Sequence, residues 1–343
     1  MAEKKIISLL FAASLAVIIA LLILYRIIFG TNVKTGDKPA VIFIPAGSTY
    51  LQALDSIEAN LDIRNPGVFR WIAGKKNYEA HVIPGRYLID RDLSYNALIN
   101  ILRSGKQTSV RVTFNNIRTL EELAGRVGGR IESDSLQLIT FFSEPGNYKK
   151  DGFTRETVIS LFLPDTYEFF WSTSAAGFYE RMLSEYKRYW NSGRLEKARE
   201  KGLTPVEVSI LASIVDHEAS KGDEKPRIAG VYLNRLKRGI PLQADPTVKF
   251  AINDFTITRV LKRHLQFDSP YNTYKYKGLP PGPIGCPSVE GLEAVLNAEK
   301  HDYIYFAAKA DFSGYHNFSR TLTEHNRYAA QYQKELNRRK IFR

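Results

Sequence analysis

Ile6-Ile-Ser-Leu-Leu-Phe-Ala-Ala-Ser-Leu-Ala-Val-Ile-Ile-Ala-Leu-Leu-Ile-Leu-Tyr25 runs for twenty residues without a charged side chain. As a helix rising 1.5 Å per residue it spans roughly the ~30 Å hydrocarbon core of a bilayer. Lys4 and Lys5 precede the run and Arg26 follows it. Its end, Leu21 to Arg26, lacks the small-x-small site of a cleaved signal peptide, so the run reads as a signal anchor. A buried core helix is the alternative. Lys4 and Lys5 on one side oppose Arg26, Lys34 and Lys38 on the other, a weak charge bias. The default orientation then places the amino terminus in the cytoplasm and the rest of the chain outside.

The composition agrees with one anchor and about two folded domains. The chain has 343 residues, 44% hydrophobic and 24% charged, far from the signature of a disordered chain. Its one cysteine, Cys286, excludes an internal disulfide and a cysteine zinc cluster within one chain. Lys and Arg number 48 against 36 Asp and Glu, and the net charge of +12 favours an anionic neighbour: nucleic acid, a membrane surface or an acidic polymer. An exported chain sets nucleic acid aside.

Outward from the anchor, 31–39 is polar, contains Gly36 and Pro39, and reads as a linker. Ala40 to Ile44 is predicted as a strand, with Ser48 capping a helix that carries Leu51, Leu54 and Ile57. Pro66 to Ala73 suggests a further helix, and His81 to Ile89 a turn feeding a strand. The stretch 93–104 is amphipathic through Leu98, Ile101 and Leu102, and Val110 to Phe114 alternates as a strand does. These make a small α+β module over 40–110, a spacer or docking module or a sugar binder. A connecting region of short helices, 111–156, leads to a larger α+β domain over 157–343. There Leu161 to Tyr167 reads as apolar and then turn-like, and Ala175 to Lys201 as one long helix.

Thr204-Pro-Val-Glu207 is a strong helix start, with Thr at the N-cap, Pro at the first position and Glu closing a capping box. In the helix that follows, Leu211, Ile214, Val215 and Glu218 share one stripe, while Asp216 points to the other side. Glu218 occupies a place where the pattern calls for a hydrophobe. Burial there disfavours the charged form and lets the carboxyl hold a proton near neutral pH, which is what a general acid requires. The competing reading is a helix-end glutamate reaching solvent or pairing with Arg227 or Arg235. His217-Glu-Ala-Ser-Lys221 approaches the zinc motif H-E-x-x-H, but Lys221 stands where the second histidine belongs, so no metal site is expected.

A second helix is predicted over Arg227 to Leu236, with Ile228, Val231, Tyr232 and Arg235 at helical spacing. Beyond it, Pro241 to Val248 puts Gln243 and Asp245 on a short turn. Ser269-Pro-Tyr-Asn-Thr-Tyr274 and Gly278-Leu-Pro-Pro-Gly-Pro-Ile-Gly285 are rigid loops dense in hydroxyl, amide and aromatic groups, a mixture that suits sugars and equally builds turns. Tyr303 to Ala308 reads as a buried strand.

Together, Leu163-Pro-Asp-Thr-Tyr, Ala212-Ser-Ile-Val-Asp-His-Glu, Asn234-Arg-Leu, Leu242-Gln-Ala-Asp-Pro-Thr-Val, Tyr271-Asn-Thr-Tyr, Gly278-Leu-Pro-Pro-Gly-Pro-Ile, Tyr303-Ile-Tyr-Phe and His316-Asn-Phe resemble the YceG-like family of endolytic murein transglycosylases. The family usually ends the helix in Glu-x-Glu, the second being catalytic; here the pair is Asp216 and Glu218. The resemblance implies a membrane anchor of 1–30, a LysM-like module and a catalytic domain outside the cytoplasmic membrane. It implies a lytic transglycosylase that cuts peptidoglycan between MurNAc and GlcNAc, needs no cofactor and leaves 1,6-anhydro ends. Glu218 is the implied catalytic residue. Gln243, Asp245, Tyr271, Asn272, Thr273, Tyr274 and His316 line the implied glycan cleft, and peptidoglycan synthases are the implied partners. A non-catalytic wall-binding scaffold and a membrane-anchored metallopeptidase are the alternatives.

Overall fold

A computed structural model describes residues 2–339, which form a mixed α+β chain in two compact units. The first comprises the chain up to Arg111 with 130–133 and 168–174, and the second the remaining residues. The division falls within two paired strands, β5 and β6 below.

In the first unit, helix α1 (Ala2–Phe29) is long and apolar enough to cross a membrane, and its apolar stretch is not buried in the protein. The Asn32 amide closes the helix by donating to the carbonyls of Ile27 and Gly30 at 2.9 and 2.8 Å. Strands β1 (Val33–Lys34) and β2 (Ala40–Ile44) follow, then α2 (Tyr50–Asn60), β3 (Asp62–Ile63), α3 (Pro66–Lys75), β4 (Gly85–Ile89) and α4 (Tyr95–Arg103). β2 and β4 pair antiparallel, Ala40 opposite Ile89 and Ile44 opposite Gly85. Ile42 and Ile44 point into a core with Leu54, Ile57, Phe69, Leu98 and Leu102, while the intervening Phe43 points out and packs on Trp171 at 4.8 Å between ring centroids.

Two expectations change here. The stretch read as a linker contains β1, whose Val33 pairs with Ile63 and is fully buried in this core. The cap of α2 is Thr49, not Ser48: its hydroxyl accepts from the Gln52 N–H and the Gln52 side chain accepts from the Thr49 N–H, a reciprocal box that Ser48, bonded back to the Pro45 carbonyl, does not make.

β5 (Ser109–Phe114) enters the second unit, followed by α5 (Leu120–Gly128), α6 (Ser135–Ser143), α7 (Gly146–Lys149) and β6 (Asp165–Phe170), which pairs with β5. β6 replaces the turn expected after Leu163. The expected long helix is two, α8 (Ala175–Tyr189) and α9 (Ser192–Glu200), because the Asn191 side chain accepts from the Arg194 N–H at 3.0 Å and caps a new start. Then come α10 (Pro205–Glu218), α11 (Lys225–Lys237), α12 (Asp245–Ile252), α13 (Lys262–Leu265), α14 (Val289–Leu296), β7 (Tyr305–Ala308), β8 (His316–Ser319) and α15 (Leu322–Arg338). β7 pairs antiparallel with β8 and is half-buried, not buried, along its length.

α10 is the centre of this unit, packed against α11, α12 and α14. It starts on the Thr204–Glu207 box as expected. Every residue from Val208 to Val215 is buried, so the stripe that singled out Glu218 is one face of a helix buried all round. Ser213 is accommodated because its hydroxyl donates to the Ile210 carbonyl and accepts the Ile284 N–H at 3.0 Å.

Candidate active site

α10 ends at Glu218 because Ala219 turns extended. The last turn is held from behind by Asp216, whose carboxylate accepts the Lys225 ammonium at 2.9 Å, the Ser288 N–H at 2.7 Å and the Ser288 hydroxyl at 2.8 Å. Lys225 also bonds Glu290. The room for Asp216 comes from Gly291, where an added Cβ would lie 2.5 Å from both carboxylate oxygens. Gly291→Ala is therefore expected to lose about 1–3 kcal/mol of stability, read from a denaturant midpoint.

Glu218 lines two cavities, one of about 390 Å³ and a second of about 370 Å³ that Asp216 also lines. Neither arginine of the competing reading reaches it: Arg227 pairs with Glu299 at 2.8 Å, and Arg235 bonds backbone carbonyls. The partner of Glu218 is Tyr232 of α11, whose hydroxyl donates to Oε1 at 3.0 Å. Burial pushes the Glu218 pKa up to about 7, with the negative charge of Asp245 adding to the rise and the Tyr232 hydrogen bond and Lys249 opposing it. In Tyr232→Phe that opposing hydrogen bond is gone. The basic limb of the pH–rate profile is expected to move to higher pH, and a limb moving to lower pH would contradict the assignment.

The wall opposite Glu218 is built from the segment leading into α12. Gln243 has φ +54°, and its side-chain oxygen accepts the Arg235 guanidinium at 3.2 Å. Arg235 is buried, donates to the Ile304 carbonyl at 2.8 Å and to Leu242 at 2.5 Å, and burial lowers its pKa. Asp245 opens α12 and accepts the Tyr274 hydroxyl at 2.6 Å. Glu218, Gln243, Asp245 and Tyr274 thus share the larger cavity with Tyr232, Arg235 and His325.

The other expected cleft residues divide. His316 lines the second cavity, its ring nitrogen 2.9 Å from the buried Glu224 carboxylate. Asn272 and Thr273 line neither of the two cavities at Glu218, and both are buried. Asn272 donates to the Leu265 and Phe267 carbonyls, and Thr273 accepts the Ala244 N–H, so they fix the loop that presents Tyr274. Tyr271 packs on Phe250 and lines a separate cavity with Arg118 and Glu156. Sequence reasoning passed over Tyr232 and Arg235 as site residues. The signal was available, since both are polar groups at i, i+3 on the apolar face of α11, the pattern that picked out Glu218 on α10.

This arrangement, a carboxyl of raised pKa that is hydrogen-bonded to a tyrosine and lines two cavities, sits inside the segment 42–331, which matches the model of the YceG-like family. The chain belongs to the YceG-like family. An endolytic murein transglycosylase of Bacillus subtilis (strain 168) is 30% identical over 320 residues, covering 88% of this chain and 87% of the relative. That of Streptococcus pneumoniae serotype 2 (strain D39) is 26% identical, and the match covers 86% of this YceG-like chain but only 58% of the longer relative. The crystal structure of a YceG-like protein from Listeria monocytogenes is 26% identical, with a TM-score of 0.55 over 84% of this chain and 99% of that one.

Proposed function

We propose that this chain is a membrane-anchored endolytic murein transglycosylase. α1 holds it in the cytoplasmic membrane with the amino terminus inside, and the catalytic residues 157–343 work outside on glycan strands. The observation that carries the proposal is Glu218: its pKa is raised to about 7, and its hydrogen-bonding partner among the described residues is a tyrosine hydroxyl. Glu218 lines two cavities, which would take sugar on either side of the bond to be cut.

Protonated Glu218 donates its proton to the oxygen linking MurNAc to GlcNAc, and the C1–O bond breaks. Positive charge develops at C1, and Asp245, held by Tyr274, supplies a negative charge in the same cavity. The Glu218 carboxylate then takes the proton from the MurNAc C6 hydroxyl as that oxygen bonds to C1. A 1,6-anhydro ring closes, Glu218 ends protonated again and no water is consumed. The chemistry needs one proton-shuttling carboxyl, where a hydrolase of the usual kind needs two.

The small module over 40–110 is proposed as a LysM-like element that keeps the strand near the membrane, and peptidoglycan synthases, which supply new strands, as partners. The test is digestion of purified glycan strands by the full-length protein in detergent, with the ends analysed by mass spectrometry. Anhydro-MurNAc ends are expected. Reducing MurNAc ends would mean that water is the acceptor and would overturn the transglycosylase reading.

A further inference from the structure

The second cavity lined by Glu218 has two lysine ammonium groups beside one of its tyrosines. Lys221 and Lys309 lie with their ammonium groups 5.6 and 5.5 Å from the ring centroid of Tyr315, which lines this cavity together with Lys309, His316 and Glu218. Both lysines are half-buried, and among the described residues neither forms an ion pair. The neighbouring carboxylates are already engaged. Asp223 accepts the Tyr315 hydroxyl at 3.2 Å, Glu224 holds His316, and Asp216 holds Lys225 and Ser288. Asp311 is exposed and bonded to Ser313, close enough for Lys309 to lower its pKa without pairing with it. Two cations over one ring repel each other, and an anion placed between them relieves the repulsion while gaining two charge-assisted hydrogen bonds.

We infer that Lys221 and Lys309 form a carboxylate-binding subsite, with Tyr315 as its floor, for the peptide carried by the MurNAc residue beside the cut bond. The inference rests on the glycan-cleaving reading. Its ligand follows from the substrate: sugar rings in murein are uncharged, and the fixed negative charges of a strand are the carboxylates of its peptides. A cationic pair beside the catalytic glutamate therefore favours strands whose peptides carry free carboxylates. It also places the peptide on the His316 side of Glu218.

The experiment compares peptide-bearing strands with the same strands after their peptide carboxylates are converted to neutral methylamides, using full-length protein in detergent. The wild type is expected to show kcat/KM roughly tenfold higher on strands with free carboxylates, a preference that falls with salt. Lys221→Met with Lys309→Met should bring the free-carboxylate rate down to the methylamide level, and Lys221→Arg with Lys309→Arg should keep the preference. Equal rates of the wild type on both strands, or equal slowing of both by the Met pair, would overturn the subsite. A second arm measures binding of a peptide-bearing fragment calorimetrically. Lysine-dependent binding with no cleavage of either strand would retain the subsite and sink the enzymatic reading; binding indifferent to the lysines would overturn the subsite.

Discussion

Glu218→Gln is expected to abolish strand cleavage while leaving the fold intact and more stable above neutral pH. The amide has the carboxyl's shape and can still accept the Tyr232 hydroxyl, but it has no proton to donate, so the rate should fall by about 10²–10⁴-fold. The stability gain follows from the direction of the shift. A carboxyl with a folded pKa of about 7 against an ordinary 4.5 binds its proton more tightly when folded. It carries no penalty below pH 4.5, an increasing one as pH rises from 4.5 to about 7, and a constant one above. Removing it should raise stability by about 3 kcal/mol above pH 7 and by nothing in acid, read from denaturant midpoints across pH. A variant of unchanged stability at every pH would mean that the carboxyl is not held in a low-dielectric site. Retained cleavage would remove Glu218 from the acid role.

Arg235→Met is the second large effect. The guanidinium is buried among the Ile304 and Leu242 carbonyls and the Gln243 side chain, and its carbon lies 5.2 Å from the Tyr305 ring centroid. Met fills much of the volume but donates nothing, so two buried carbonyls lose a charged donor. The expected cost is about 3–5 kcal/mol. Activity should fall as well, because the Gln243 turn that Arg235 holds leads into Asp245. Denaturant midpoints and kcat/KM measured on the same sample check both effects. A variant within about 1 kcal/mol of wild type would show that the loop is held by other contacts.

What the sequence made legible, and what it did not, divides along physical lines. Features set by neighbours a few residues apart could be read directly: the Thr204–Glu207 box, strand β2 at Ala40–Ile44, and the carboxylate on the apolar stripe of α10. The Asn191 cap that splits α8 from α9 is equally local but is hidden by a polar face that runs on through it. Features set by distant partners could not be read. Val33 is a core residue through pairing with Ile63 and Leu93, which a polar stretch of sequence does not announce. In Tyr271-Asn-Thr-Tyr274 the side chains go to a separate cavity, to buried loop bonds and to Asp245, and only the fold decides which goes where. Tyr232 reaches Glu218 across fourteen residues, through the packing of α11 on α10.

The most direct measurement is the titration of the Glu218 carboxyl itself, by difference infrared spectroscopy of the wild type against Glu218→Gln. A neutral carboxylic acid band lost with a midpoint near pH 7 is expected. A group already ionised at about pH 5, as an ordinary exposed glutamate would be, contradicts its role as the proton donor.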